Sequence, residues 1–332
     1  MLPLQRKNEN MNIPRTSFPR VVIIGGGFAG ISLAKKLSKQ EVQVVLLDKN
    51  NYHTFQPLLY QVSTGGLEPD SIAYPIRKIL KNFPNFHFRL AHVDEINAEA
   101  NEVITNIGTL KYEYLVIASG SATNYFGNTE IEKNSMAMKS IPQSLNLRSL
   151  ILENFEDALL TSDLNERNAL MNFVIVGAGP TGVELAGALA EIKKGILPKD
   201  YPDLDTRLVQ INLIQSSDRI LKEMSEKASK KAEDFLEKLG VNVWKNVRVL
   251  NYDGRIVTTN SDVIFETATL VWAAGVKGAT IKGLDGNEYI TKGERILVNE
   301  FNQVKGMSTV FAIGDVACME YDEFPRGFPM MA

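Results

Sequence analysis

Two apolar runs, each breaking into a G-x-G-x-x-G turn and then an Ala- and Leu-rich helical pattern, predict an α/β chain with two Rossmann-like dinucleotide-binding domains. The first run, Val21-Val22-Ile23-Ile24, leads into Gly25-Gly26-Gly27-Phe28-Ala29-Gly30. The second, Phe173-Val174-Ile175-Val176, leads into Gly177-Ala178-Gly179-Pro180-Thr181-Gly182, 152 residues further on. A third observation sets the nesting. The apolar run Val310-Phe311-Ala312-Ile313 ends at Gly314-Asp315, beyond the second repeat, so the second domain reads as inserted into the first.

The elements follow in order. A polar tail with three prolines covers 1–19. Strand 20–24, helix 28–39 and strand 42–47 make the first βαβ unit, closed by Asp48. A long loop over 50–69 follows, then a helix over 71–82 from the apolar spacing of Ile72, Ile76, Ile79 and Leu80. Polar alternation over 86–102 reads as a strand pair, and 112–118 as a buried strand ending at Ser119-Gly120. A helix over 142–160 leads to strand 172–176, helix 181–193 and strand 210–214. Ser225 caps a helix that Gly240 stops. Residues 241–250 and 255–260 flank Asp253-Gly254 as a hairpin, and 269–273 is a buried strand before Ala274-Gly275. The expected division is therefore a first nucleotide-binding part over 20–125, the second domain with its linkers over 126–285, and a return to the first over 286–332.

Composition narrows the function. The 332 residues are 44% hydrophobic, enough for two domains with cores. Lys and Arg number 36 against 39 Asp and Glu, a net charge of −3 that gives no reason to expect nucleic acid. Cys318 stands alone, so no intramolecular disulfide forms, and with only three His a metal site is not expected. No secretory signal is visible, and no apolar stretch approaches the ~20 residues needed to span a bilayer.

In the first turn Gly25 bends the chain, Gly27 lets backbone approach a diphosphate and Gly30 lets helix and strand pack. Asp48, 18 residues after Gly30, can accept ribose hydroxyls. In the second, Pro180 sits near the first helical position, where its missing N–H costs nothing. The return strand ends at Gln215 instead of an acid, which leaves NADPH open beside NADH, because a neutral amide does not repel a 2′-phosphate. Gly314-Asp315 can bring a carboxylate to the ribitol of a flavin. Two dinucleotides in one chain point to an enzyme that passes electrons between them.

The segments VVIIGGGFAG, LLDKNNYHTFQPLLYQVSTG, YEYLVIASGSATNYFG, VIVGAGPTGVELAGALAE, LVWAAGV and VFAIGDVA resemble type II NADH:quinone oxidoreductases, from about Arg20 to the last residue. The resemblance implies FAD on Gly25, Gly27, Phe28, Ala29, Gly30, Asp48, Lys49, Ser119, Gly120, Gly314 and Asp315. It implies NADH on Gly177, Gly179, Pro180, Thr181, Gly182, Gln215, Ala274 and Gly275. Glu184 would lie near the nicotinamide and flavin, as a catalytic candidate against the plainer reading of a helix-favoured acid. Phe55, Gln56, Pro57 and Leu58 would line the flavin or quinone cavity, against plain core. His53 reads as a packing residue. The implied partners are a quinone and a membrane surface at the cytoplasmic face of the inner membrane, held peripherally, with a homodimer as a further expectation.

The loop after Asp48 carries no cysteine, which sets the chain apart from relatives that need thiols beside the flavin. The sequence ends about where, in that family, a helix begins whose N-terminus faces the flavin. Weakened FAD binding and lost membrane attachment are expected from its absence. Two other functions fit the same motifs: a reductase of a ferredoxin-like acceptor, with a cavity rich in Lys and Arg, or a nucleotide-binding redox sensor without turnover.

Overall fold

The computed structural model describes residues 9–291, 293–321 and 324–329. Nine parallel strands frame the two nucleotide-binding sheets: β1 (Arg20–Ile24), β2 (Gln43–Asp48), β3 (Phe86–Leu90), β4 (Tyr114–Ile117), β5 (Asn172–Val176), β6 (Gln210–Ile214), β7 (Asn242–Trp244), β8 (Thr269–Trp272) and β9 (Val310–Ala312). The helices that matter here are α1 (Phe28–Leu37), α2 (Leu59–Ser63), α3 (Ile141–Leu160), α4 (Pro180–Gly195) and α5 (Glu226–Leu239).

The chain divides into two compact units. The first comprises Met1–Thr54, Ala73–Ala122 and Val276–Ala332; the second comprises Phe55–Ile72 and Thr123–Gly275. In the first unit the sheet order is β9-β4-β1-β2-β3, all parallel. Val22, Ile23, Val45, Leu46, Leu115 and Ile117 lose essentially all their exposure, as strands covered on both faces must. Their side chains feed two cores. Val21, Ile23, Val44 and Leu46 pack with Ile31 and Ala34 of α1. Val22, Val45, Leu115 and Val310 pack on the other face with Val103, Leu110 and Ile296.

The second unit repeats the plan with order β7-β6-β5-β8. Val174, Val176, Ile214, Leu270 and Trp272 pack with Val249, Tyr252, Val257 and Phe265. Ser225 caps α5 by accepting from Ala228 N, and Gly240 closes it at φ 87°. Residues 55–72, which the sequence places with the first part, cluster with the second unit. Leu59 and Val62 of α2 are buried, and Ser63 Oγ donates to Met138 Sδ at 3.0 Å.

Four parts differ from the sequence reading, the first being the expected loop over 50–69, which contains the short strand Tyr52–Thr54 and α2. The helix expected over 71–82 shrinks to Ile76–Ile79, because Pro75 holds Tyr74 extended in the short strand Ala73–Pro75. The pair expected over 86–102 splits: β3 joins the parallel sheet, and Val93–Asn97 starts a three-stranded antiparallel meander. Residues 242–244 add to the parallel sheet as β7 and do not form part of the hairpin. Asn246, left-handed at φ 58°, ends that run before the hairpin strand Val249–Tyr252.

Candidate dinucleotide sites

Each parallel sheet reverses its order beside its first strand, and each glycine turn sits at that point, outside the carboxyl end of the strand. Gly25 follows β1 at φ 108°, and Gly177 follows β5 at φ 101°. A Cβ on Gly25 would stand 2.2 Å from Ala118 O, after β4; one on Gly177 would stand 2.5 Å from Ala273 O, after β8. A Cβ on Gly30 would stand 1.9 Å from Gly25 O, and one on Gly182 2.0 Å from Gly177 O. At Gly27 and Gly179, by contrast, a Cβ would meet nothing within 4 Å. Both are the cap residues of their helices, extended at φ −76° and −75°, without a side-chain cap.

Each turn therefore packs tightly at its first and last glycine and is bare at its middle one. The bare residue opens a helix whose first N–H groups have no intrahelical acceptor. Such a turn can cradle a diphosphate: it offers donors, the positive end of a helix dipole, and no side chain in the approach. The residues present fit the group.

The residue at the end of each second strand is tied to its turn in the same way. Asp48 Oδ2 accepts from Gly26 N, and Oδ1 from Asn50 N at 2.6 Å. Gln215 Oε1 accepts from Ala178 N at 3.0 Å, and Nε2 donates to Ser217 Oγ at 2.6 Å. Each side chain thus holds the second residue of its own turn, a link that the sequence does not reveal. Burial holds the Asp48 carboxyl above its ordinary value, and the N–H groups of Asn50 and Gly26 offset that only in part. Lys49 is exposed.

The remaining residues of the first site gather on the same sheet edge. Gly314, at φ 73°, approaches Ala29 so closely that a Cβ would lie 3.0 Å from the Ala29 Cβ. Asp315 follows, exposed, and its Oδ2 accepts from Ser121 Oγ at 2.9 Å. Ser119 Oγ donates to Ala279 O at 2.6 Å, and Gly120 O accepts from Ala279 N. Ser121 was not singled out by the sequence; its place two residues beyond Ser119 was the available signal. Phe28 is exposed and meets His53 edge-on, with ring centroids 4.9 Å apart. His53 Nδ1 lies 3.0 Å from Gly26 O, a structural contact behind the turn.

In the second site Pro180 and Thr181 are exposed on the first turn of α4, and Ala274 and Gly275 follow β8. Glu184 lies on the exposed side of α4, where partial burial alone pushes its carboxyl up. Phe55, Gln56 and Pro57 are exposed and Leu58 half-buried, at the start of the 55–72 segment. Cys318 is buried.

The family model described as pyridine nucleotide-disulphide oxidoreductase matches residues 19–331. Over 313 residues the chain is 35% identical to the type II NADH:quinone oxidoreductase Ndh of Mycobacterium tuberculosis, covering 91% of this chain and 67% of that protein. The chain belongs to the type II NADH:quinone oxidoreductase branch of the pyridine nucleotide-disulphide oxidoreductase family. Among solved structures of the family, NDH2 from Plasmodium falciparum in complex with NADH superposes with a TM-score of 0.83 at 25% identity, over 91% of this chain and 64% of that one. The sulfide:quinone oxidoreductase of Aquifex aeolicus shares the fold, with a TM-score of 0.74 at 20% identity over 95% of this chain and 72% of that one. The chain spans about two thirds of the length of these relatives.

Proposed function

We propose that this chain oxidises NADH and reduces a quinone through FAD, without proton pumping. The observation that carries the reading is the duplicated cradle: two turns with the same close contacts, the same bare glycine and the same side-chain tie, one per unit. FAD is assigned to the first turn, with Asp48 at the adenosine ribose and Asp315, aligned by Ser121, at the ribitol; Lys49, Ser119 and Gly120 complete that edge. NADH is assigned to the second turn, with Gln215 at its ribose and Ala274 and Gly275 under its other half. NADPH is compatible with the neutral Gln215. FAD supplies the capacity to accept a hydride from nicotinamide and to release two electrons to a quinone.

The protein's own part is to hold and orient. The N–H groups of each turn fix a diphosphate. Asp48 keeps Gly26 in register and has lone pairs left for the ribose hydroxyls. Glu184, on the exposed side of α4, is assigned to the nicotinamide. Phe55, Gln56, Pro57 and Leu58 offer a surface for the quinone ring. A quinone lives in the bilayer, so the proposal includes peripheral attachment to its cytoplasmic face, with the enzyme a homodimer. Purified chain supplied with FAD, NADH and menadione tests the reading: NADH is consumed only when quinone and flavin are both present. Nucleotide binding with no turnover would support a sensor instead.

A further inference from the structure

One aromatic residue adopts a backbone conformation that its packing does not explain. Phe126 sits at φ 53°, followed by Gly127 at φ 79°. For a bulky residue the left-handed region is an outlier, and such outliers gather at ligand sites. Burial does not account for it, because Phe126 is 68% exposed. The neighbouring bonds hold it there. Phe126 N donates to Asn124 Oδ1 at 2.8 Å, Asn124 N donates to Gly275 O at 3.0 Å, and Trp272 Nε1 donates to Asn124 O at 2.8 Å. The ring meets Trp272 edge-on at 6.5 Å, and a Cβ on Gly275 would lie 2.9 Å from its Cζ.

The position in the sheet says what the ring is beside. Gly275 follows Ala274, whose Cα would lie 2.5 Å from a Cβ on Gly177. Phe126 therefore stands at the carboxyl end of β8, on one side of the second glycine turn. Gln215 stands at the end of β6, on the other side. A dinucleotide with its diphosphate on the turn and its adenosine ribose at Gln215 carries its other half over β8.

We propose that Phe126 is a nucleotide-contacting residue, whose ring packs against the nicotinamide ring of the bound dinucleotide. This rests on the assignment of NADH to the second turn. A water-exposed ring, held in place before the ligand arrives, gains contact area on binding without an ordering cost.

The test is calorimetric titration of the FAD-loaded chain with NAD+, which cannot be turned over alone, and with ADP-ribose, which lacks the nicotinamide. Phe126→Gly removes the ring and suits the left-handed backbone. It is expected to weaken NAD+ about ten-fold, to leave ADP-ribose unchanged, and to melt no lower than the parent chain. Phe126→Trp restores NAD+ affinity. Gly275→Ala, which displaces the ring without deleting it, gives an intermediate loss. Unchanged NAD+ affinity in Phe126→Gly overturns the inference, as does an equal loss for both ligands. A parent chain that binds neither ligand overturns the assignment of the second turn itself, and the inference with it.

Discussion

Replacing Gly27 or Gly179 by alanine separates folding from ligand binding. At both positions the backbone is extended at negative φ, which alanine adopts freely, and the added methyl meets nothing within 4 Å. Two opposing effects act on the free protein. Alanine restricts the unfolded chain, a gain of about 0.4–1 kcal/mol. It is also a poorer helix cap than glycine, a loss of about the same size. The net change lies within about 1 kcal/mol, or ~2–4 °C in melting temperature for a domain of this size. The bound state differs, because the methyl occupies the approach of the diphosphate and holds its oxygens away from the N–H groups. Losing one charge-assisted hydrogen bond costs about 1.5–3 kcal/mol, roughly ten- to hundred-fold in affinity. The assay is paired: melting of the ligand-free chain, and titration with FAD and with NAD+. Gly27→Ala should lose FAD and keep NAD+; Gly179→Ala should do the reverse. Gly25→Ala serves as the contrast, with φ 108° and a Cβ 2.2 Å from Ala118 O, and should unfold the first unit. If Gly27→Ala and Gly179→Ala bind both ligands as tightly as the parent, the turns are not diphosphate cradles.

Three further outcomes follow from named contacts. Glu184→Gln should melt higher than the parent at neutral pH, because the folded state holds the Glu184 carboxyl above its ordinary value. The advantage should vanish at pH values where both states are protonated, grow as pH rises from the unfolded to the folded titration, and level off above it; a constant difference across pH would contradict it. Gln215→Glu keeps an acceptor for Ala178 N, as Asp48 does for Gly26 N. It should weaken NADP+ about ten-fold or more while sparing NAD+, read by titration with each; equal losses would refute the ribose assignment. Lys245→Ala leaves Glu233, 7% exposed, without the partner it meets at 2.7 Å. That should cost about 1–3 kcal/mol in chemical denaturation, with no effect on FAD affinity.

The nucleotide-binding sheets were legible in the sequence because their strands are apolar runs cut off by glycine turns. β1, β5 and β6 fall on the expected residues, and β2, β8 and β9 within one of them. Legibility failed where one residue overrides a pattern. The apolar spacing through Ile72, Ile76 and Ile79 is helical in period, but Pro75 keeps its first half extended. Asn246 ends an apolar run that otherwise reads as one hairpin arm. The tight turns could be read from their glycines, since the motif requires close packing at its first and last glycine. The ties from Asp48 to Gly26 and from Gln215 to Ala178 could not, because side-chain-to-backbone partners appear only once the strands lie side by side. Phe126 was invisible for the same reason: its significance lies in a dihedral angle and in its nearness to Gly275, far along the chain.

The most direct test is equilibrium titration of the purified chain with FAD and NAD+, separately and together. The account predicts one of each per chain, with FAD failing to displace NAD+. Competition between the two for one place would contradict it.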